Sequence, residues 1–124
     1  MTKLFLCVAV VLGIWVVILQ FYPINPDDAI DAIVGEASNQ PFDCMVDVAQ
    51  AIDHRGTLKG VYGLHARHNA KESSDTWEEA GDAWDQAGVT KDQINGAKNW
   101  GTLGDLKKLH VKQYKVKCGD LYFY

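Results

Sequence analysis

The sequence predicts a small α+β domain, mainly α, that ends in a short β-hairpin and is preceded by one N-terminal transmembrane helix. Three observations support this prediction. Residues 4–22 form an apolar run without a charge and with one strongly polar side chain, Gln20. The central part of the chain places apolar residues at intervals of three and four, and residues 114–124 alternate apolar and polar side chains. We therefore divide the chain into a membrane segment, residues 1–22, and one soluble domain, residues 23–124.

The composition is that of one folded domain and argues against nucleic acid as a partner. The 124 residues carry 12 basic and 16 acidic side chains, a net charge of -4, with 48% hydrophobic and 23% charged residues. Binding to a phosphate backbone needs a clustered excess of Lys and Arg, which the sequence pI of about 5.4 does not suggest. Nearly all charged side chains, 11 basic and 16 acidic, fall in residues 23–124.

The apolar run is LFLCVAVVLGIWVVILQFY, 19 residues without a charge. As a helix rising about 1.5 Å per residue, it is long enough to cross the hydrocarbon core of a bilayer. PINP follows it where a cleavable signal peptide carries a small-x-small site, so we favour an uncleaved anchor over a signal peptide. Lys3 precedes the run, and Asp27 and Asp28 follow it. This charge pattern predicts a single-pass protein of the inner (cytoplasmic) membrane whose domain is periplasmic or otherwise extracytoplasmic.

Two helices are predicted at the start of the soluble domain. The first is capped by Asp27 or Asp28, places apolar residues at helical spacing and ends near Glu36. The polar stretch SNQP separates it from the second helix, which covers residues 43–55 and stops at Gly56.

A third helix is predicted from a capping-box pattern formed by Asp75 and Glu78, with Gly88 as its end. Its residues at spacings of three and four are Trp77, Ala80, Gly81, Trp84 and Ala87. We interpret this stripe as a core-facing surface rather than a binding platform. A short helix is predicted at 103–109, and the closing hairpin turns at GD, residues 119–120.

Glu36 stands out among the carboxylates because it lies in the mostly apolar stretch AIVGEA rather than on a charged face. A carboxyl group shielded from water can stay protonated and serve as a general acid. The alternative is a solvated carboxylate near a helix end. His65 and His68 form an H-x-x-H pair, but neither an HExxH pattern nor a cysteine pair at zinc-site spacing accompanies them. We therefore predict no metal site and no cofactor.

Cys44 and Cys118 allow three interpretations. Outside the cytoplasm they can form a disulfide that closes a loop of 74 residues, and otherwise they are two separate buried thiols. In the third interpretation, Cys44 at the start of a helix is a nucleophile activated by the helix dipole, with a later histidine such as His110 as base. The dipeptide before Met45 resembles the nucleophile region of NlpC-type cysteine peptidases, although that family continues with Ser-Gly where MV follows here.

Five segments carry a more specific resemblance. They are IVGEASNQ at 33–40, MVDVAQAI at 45–52, RGTLKGVYG at 55–63, NGAKNW at 95–100 and GDLYFY at 119–124. In order and spacing the first three resemble the cell wall hydrolase family of the spore-cortex lytic enzyme type, called SleB-like. The fourth is similar to that family's Asn-Gly-Ala-Thr-His-Trp segment, and the last to its closing Gly-Asp-His-x-Phe-Tyr. The similarity covers about residues 30–124.

The resemblance implies a small lysozyme-like domain that cleaves the glycan strands of peptidoglycan, in cell wall remodelling or phage-type host lysis. The family's catalytic glutamate falls on Glu36, which as general acid would protonate the oxygen between N-acetylmuramic acid and N-acetylglucosamine. Asp43, Asp47 and Asp53 are the nearest candidates for a second carboxylate. Their spacing makes none of them a convincing partner, which favours a lytic transglycosylase over a hydrolase.

Four residues complete the expected site as substrate-binding groups: Tyr62, Asn99, Trp100 and Tyr122. Aromatic rings stack on pyranose rings, although Tyr62 and Trp100 are equally suited to a core.

The chain also departs from the family. It has His54 where the family has asparagine, and Asn99 and Leu121 where the family has histidine. These replacements remove polar groups that orient substrate, so a catalytically inactive wall-binding protein is one alternative function. The NlpC-type peptidase that uses Cys44 is the other.

Overall fold

A computed structural model describes residues 24–61 and 73–124 of the chain. Its elements are α1 (Pro26–Ala37), α2 (Phe42–Arg55), α3 (Ser74–Val89), β1 (Trp100–Gly101), α4 (Leu103–Lys108), β2 (Val116–Cys118) and β3 (Leu121–Phe123). The described part is therefore mainly helical with a small antiparallel sheet, as the sequence predicts. The predicted membrane segment, residues 4–22, lies outside the described residues. Within the described ranges, no helix combines the length and apolar character needed to cross a bilayer.

Local signals set the ends of the first two helices. The side chain of Asn25 caps α1 by accepting a hydrogen bond from the backbone N of Asp27 at 2.9 Å. Pro26 follows the cap, where its missing N–H removes no helical hydrogen bond. The cap is therefore two or three residues earlier than the predicted Asp27 or Asp28, and these acidic residues instead complement the helix dipole in the first turn. α2 ends as predicted at Gly56, whose φ of 70° is left-handed.

The predicted start of the third helix is wrong. Ser73, not Asp75, is the N-cap of α3, and its hydroxyl accepts a hydrogen bond from the backbone N of Thr76 at 3.4 Å. Serine and aspartate are comparable caps, and starting at Ser73 lets the helix form additional hydrogen bonds. At the other end α3 continues through Gly88 to Val89.

The three long helices enclose the hydrophobic core. Among its largest fully buried side chains are Phe123, Ile33, Met45, Ile52, Ile94, Val34 and Val48. The predicted stripe of α3 faces this core, because Ala80 is fully buried and Trp77 and Trp84 pack against the core partly buried. Small residues bring α3 close to α1: a Cβ on Gly81 would lie 3.7 Å from the Cδ1 of Ile30. Each fully buried aliphatic side chain contributes about 1.5–3 kcal/mol.

The sheet has the order β1-β3-β2, with both pairings antiparallel. The hairpin β2–β3 is the predicted one, and β1 is a third strand that the sequence did not reveal. Trp100 pairs with Phe123, Gly101 with Tyr122, and Lys117 with Tyr122 on its other side. Residues directly opposite each other share a face of the sheet. Trp100 therefore lies on the core face with Phe123, and Gly101, Tyr122 and Lys117 lie on the outer face.

The turn of the hairpin lies against the loop between α1 and α2. Cys44 and Cys118 form a disulfide, with a Cα–Cα distance of 5.4 Å, that joins α2 to β2. Beside it, Gly119 has a φ of 57°, and a Cβ there would collide with Oε1 of Gln40. The same oxygen accepts a hydrogen bond from the backbone N of Asp120 at 3.1 Å. The sheet is thus fixed covalently and by hydrogen bonds to the helices.

Gln50 fixes the segment that leads into β1. Its buried side chain donates to the carbonyl oxygens of Thr90 at 3.3 Å and Lys91 at 2.9 Å, and accepts from the backbone N of Gln93 at 2.9 Å. One turn further along α2, Nδ1 of His54 lies 3.0 Å from the carbonyl oxygen of Ala97. These contacts set the path of the chain toward Trp100.

Candidate functional site

A cavity of about 430 Å³ opens between the C-terminal ends of α1 and α2 and the start of β1. Its lining residues are Glu36, Arg55, Gly60, Val61, Asn99, Trp100, Asp105, Lys108, Leu109 and Tyr124. The volume falls in the range of small-molecule sites, and the lining combines rings, an amide, two cations and two carboxylates.

Glu36 lies at the inner wall of this cavity. It is the second-last residue of α1, half-buried, between Val34 and Ala37, which belong to the core. Its Oε2 accepts a hydrogen bond from Nε1 of Trp100 at 3.3 Å. The helix therefore places the carboxyl group at the boundary between core and cavity. The hydrogen bond from the indole of Trp100 helps to orient it.

Trp100 also contacts Arg55, one of the two cations of the site. The Cζ of Arg55 lies 5.7 Å from the centroid of the indole ring. The guanidinium is held in place because its Nη2 donates to the carbonyl oxygen of Lys59 at 2.8 Å. One ring thus links an acid from α1 with a cation from the end of α2.

Tyr124 adds a phenol to the wall of the cavity. Its backbone N and O exchange two hydrogen bonds of 2.9 Å with Asn99, which extends the pairing of β1 with β3 by one residue. Burial and the negative charge of Asp105 raise the pKa of Tyr124, and the positive charge of Arg55 opposes them. The phenol is therefore protonated at neutral pH and can donate a hydrogen bond to a ligand.

Asp105 is the second carboxylate in the cavity, and the sequence reasoning missed it. Its Oδ2 accepts hydrogen bonds from the backbone N and the hydroxyl of Thr102, both at 3.0 Å, in the capping box of α4. The pattern T-x-x-D could have identified Asp105 as part of a helix cap. It could not show that Asp105 lines the cavity, because that depends on how α4 packs on the sheet. Gly101 permits that packing, since a Cβ there would lie 3.0 Å from the Cβ of Asp105.

No family model matches this chain. No curated protein and no solved structure matches it either.

The three aspartates considered from the sequence as partners of Glu36 are not among the lining residues of the cavity. Asp43 is exposed, and Asp53 lines a smaller cavity of about 230 Å³ between α2 and α3. Asp47 is only 5% exposed, and its Oδ1 has no hydrogen-bond partner in the part of the chain that the structure describes. Burial, together with the negative charges of Asp43 and Asp92, raises the pKa of Asp47 to about 6.

Two of the four predicted substrate-binding residues, Asn99 and Trp100, line the cavity. Tyr62 lies outside the described residues. Tyr122 is not among the lining residues of this cavity, and its ring lies on the outer face of the sheet. There it packs edge-to-face on Tyr114, with ring centroids 4.8 Å apart, and under the Nζ of Lys117.

The departures from the SleB-like pattern lie mostly away from the cavity. Leu121 is buried in the core, and His54 contacts Ala97 and lies 3.8 Å from Oδ1 of Asp92. Only Asn99, of these three residues, is in the cavity lining. Two of the replacements therefore alter structural contacts rather than the wall of the site.

Cys44 cannot serve as the nucleophile of a cysteine peptidase in this structure. Its Sγ is bonded to Cys118, and the residue is 2% exposed. A thiolate is required for nucleophilic attack, and a disulfide sulfur does not supply one. Among residues 24–61 and 73–124, no three His, Cys, Asp or Glu side chains are grouped so that they could hold a metal ion. His65 and His68 lie outside these ranges.

Proposed function

We propose that this chain is an enzyme that cleaves the glycan strands of peptidoglycan between N-acetylmuramic acid and N-acetylglucosamine, as a lytic transglycosylase. One observation supports it above the others. Glu36, the position that the SleB-like resemblance marks as catalytic, lies in the wall of the 430 Å³ cavity and its carboxyl group is held by Trp100.

Glu36 acts first as acid and then as base in this proposal. Its carboxyl proton passes to the glycosidic oxygen, the bond from that oxygen to C1 of the muramoyl residue breaks, and positive charge develops at C1. The resulting carboxylate then takes the proton of the muramoyl 6-hydroxyl, whose oxygen bonds to C1. The product is a 1,6-anhydro sugar, no water is consumed, and Glu36 regains its proton.

The other lining residues have binding roles. Trp100 and Tyr124 offer ring surface and hydrogen-bond donors, and Asn99 offers an amide, which together suit the hydroxyl and acetamido groups of an amino sugar. The hydrogen bond from Nε1 of Trp100 keeps the carboxyl group of Glu36 in one orientation, which proton transfer to a fixed oxygen requires.

Hydrolysis is the second candidate reaction, and Asp105 is the observation that favours it. A hydrolase needs a second carboxylate to activate water or to trap the sugar, and Asp105 lines the same cavity as Glu36. Its Oδ2 is already occupied by two hydrogen bonds from Thr102. A capping role thus accounts for this carboxylate, and the single acid of a transglycosylase remains the preferred proposal.

The test compares the full chain with its Glu36→Gln and Asp105→Asn variants on purified peptidoglycan, with products identified by mass spectrometry. Glu78→Gln, on the exposed face of α3, is the matched control. We expect anhydro-muropeptides from the wild type and Glu78→Gln, and none from Glu36→Gln. Reducing ends that disappear with Asp105→Asn would indicate a hydrolase. Cleavage that survives in Glu36→Gln, or a wild type that binds glycan without cleaving it, would overturn the proposal.

We also propose that residues 4–22 anchor the chain in the cytoplasmic membrane with the domain outside the cytoplasm. The disulfide between Cys44 and Cys118 supports this, because disulfides form and persist in oxidising compartments. Protease added to intact spheroplasts should degrade the domain. Protection from protease in spheroplasts, with degradation only after lysis, would contradict this topology.

A further inference from the structure

The charge of the chain is unevenly distributed. Residues 103–117 contain five lysines and one acidic residue, Asp105, a net charge of +4 in a chain whose total is -4. The rest of the chain therefore carries -8. The acidic pI of the whole chain therefore does not reveal this local excess of lysine. Residues 103–117 are called the basic segment.

The five lysines are all exposed: Lys107, Lys108, Lys112, Lys115 and Lys117. Lys115 donates to the carbonyl oxygen of Asn95 at 3.2 Å, and the Nζ of Lys117 lies 5.3 Å from the ring centroid of Tyr122. Within the described ranges, the only ion pair that the structure shows is the one between His54 and Asp92. None of the five lysines therefore forms an ion pair with another described residue.

The same segment exposes apolar side chains. Large hydrophobic side chains exposed in the described residues are Val89, Leu103, Leu109 and Tyr114. Three of these four belong to the basic segment, with exposed fractions of 50% for Leu103, 64% for Leu109 and 52% for Tyr114. Burial of these groups would be favourable, and the described domain leaves them in water.

Parts of the basic segment lie against the outer face of the sheet. On the outer face of the sheet, Gly101, Tyr122 and Lys117 are neighbours across the three strands. α4 packs over Gly101, and the ring of Tyr114 packs on Tyr122. The basic segment therefore lies against this face through α4 and through Tyr114, and two of its residues, Lys108 and Leu109, also line the cavity that contains Glu36. The exposed lysines, leucines and tyrosine of residues 103–117 are called the basic surface.

We propose that this surface binds an anionic lipid bilayer. Lysines close to a membrane are attracted to acidic headgroups, and leucine and tyrosine gain by entering the region between headgroups and acyl chains. A soluble polyanion would attract the lysines equally but would not bury the leucines. The combination favours the bilayer, and the proposal does not depend on the enzymatic activity.

The experiment measures amide hydrogen exchange of the full chain in nanodiscs of phosphatidylcholine alone or with about 30% phosphatidylglycerol. We expect the amides of residues 103–117 to exchange severalfold more slowly in the anionic discs, and raising the salt concentration should reverse this protection. Removing two lysines with Lys107→Gln/Lys112→Gln should abolish it, since each lysine near an anionic surface is worth about fivefold in affinity. Lys91→Gln/Lys98→Gln, which removes two exposed lysines elsewhere, should retain it.

A second pair of variants separates a bilayer from a polyanion. Leu103→Gln should weaken the protection severalfold, whereas Val89→Gln, the exposed apolar residue outside the segment, should leave it unchanged. Exchange in α1 and α2 verifies that each variant is folded. Equal exchange in neutral and anionic discs would overturn the proposal. A second result would also overturn it. If soluble polyphosphate protects residues 103–117 as strongly as anionic discs do, and Leu103→Gln does not weaken that protection, the segment is a polyanion site.

Discussion

Nε1 of Trp100 lies 3.3 Å from Oε2 of Glu36, a hydrogen bond between residues 64 positions apart in the sequence. It joins the end of α1 to the first strand of the sheet, and the cavity opens beside it. The indole is also in contact with Arg55. The orientation of the proposed catalytic acid therefore depends on how the sheet is docked onto the helices.

Trp100→Phe should lower kcat on peptidoglycan about tenfold, because a hydrogen bond to a carboxyl group contributes about 1.5 kcal/mol. The phenyl ring keeps most of the packing and loses the N–H donor. Steady-state kinetics measure the effect, and Trp84→Phe is the control, since Trp84 is partly buried in α3 away from this cavity. Equal losses in both variants would show that packing, not the hydrogen bond, is responsible.

Removing the disulfide with Cys44→Ala/Cys118→Ala should lower the free energy of unfolding by about 4 kcal/mol, the chain-entropy value for a closed loop of this length. Urea denaturation followed by circular dichroism measures it. Wild type treated with a reducing agent should unfold at the same urea concentration as the variant. A variant as stable as the oxidised wild type would contradict the contribution assigned to the bond.

Asp47→Asn should stabilise the chain at neutral pH. The pKa of Asp47 is about 6 in the folded state against 3.8 for an unperturbed aspartate, so the folded chain binds more protons between these values. The contribution of Asp47 to stability is therefore most favourable below about pH 4 and is lost as the pH rises through about 6. The asparagine removes this loss, so we expect about 3 kcal/mol of added stability at pH 7.5 and almost none at pH 4.

Denaturation curves of Asp47→Asn at a series of pH values measure this difference. Asp53→Asn is the matched control, because Asp53 is an exposed aspartate on the same helix and should change stability by no more than about 0.5 kcal/mol. A stabilisation of Asp47→Asn that does not vary with pH would indicate a cause other than ionisation.

Gln50→Ala should destabilise the chain by about 3 kcal/mol. The change leaves the carbonyl of Lys91 and the N–H of Gln93 without their buried partner, and each lost partner costs about 1–3 kcal/mol. Hydrogen exchange should accelerate in residues 90–97 before it does in α1. Gln86→Ala, an exposed glutamine whose side chain contacts only the hydroxyl of Thr90 among the described residues, should have a much smaller effect.

Two glycines should respond oppositely to alanine. Gly119→Ala places a Cβ against Gln40 at a left-handed φ, so it should cost more than about 1 kcal/mol. Gly88→Ala lies in a helix with no heavy atom within 4 Å of the new Cβ, and should stabilise by about 0.5–1 kcal/mol. Melting temperatures measure both. A stabilising Gly119→Ala would show that the turn can move away from Gln40.

The helices could be predicted from the sequence because their signals are local. Gly56 stops α2 through its own conformation, and the apolar spacing of each helix identifies its buried face. The caps were predicted two or three residues too late, since Asn25 and Ser73 compete with aspartates that are equally good caps. The turn of the terminal hairpin at Gly119 was also local and was predicted.

The site depended on contacts that the sequence does not encode locally. β1 has only two residues, and its pairing with β3 joins positions more than 20 residues apart. Alternation along β3 was visible, but it did not reveal that Phe123 faces the core, which turns Tyr122 to the outer face. Asp105 reaches the cavity because α4 packs on the sheet, and no local pattern contains that information.

The central position of β3 sets the order in which the site assembles. β1 finds its partner only after residues 121–123 have been synthesised, although α1 and α2 were synthesised long before. A chain without docked residues 121–123 leaves Trp100 without the strand that holds it, and its core lacks Phe123. The helical core and the wall of the cavity are therefore completed by the same strand.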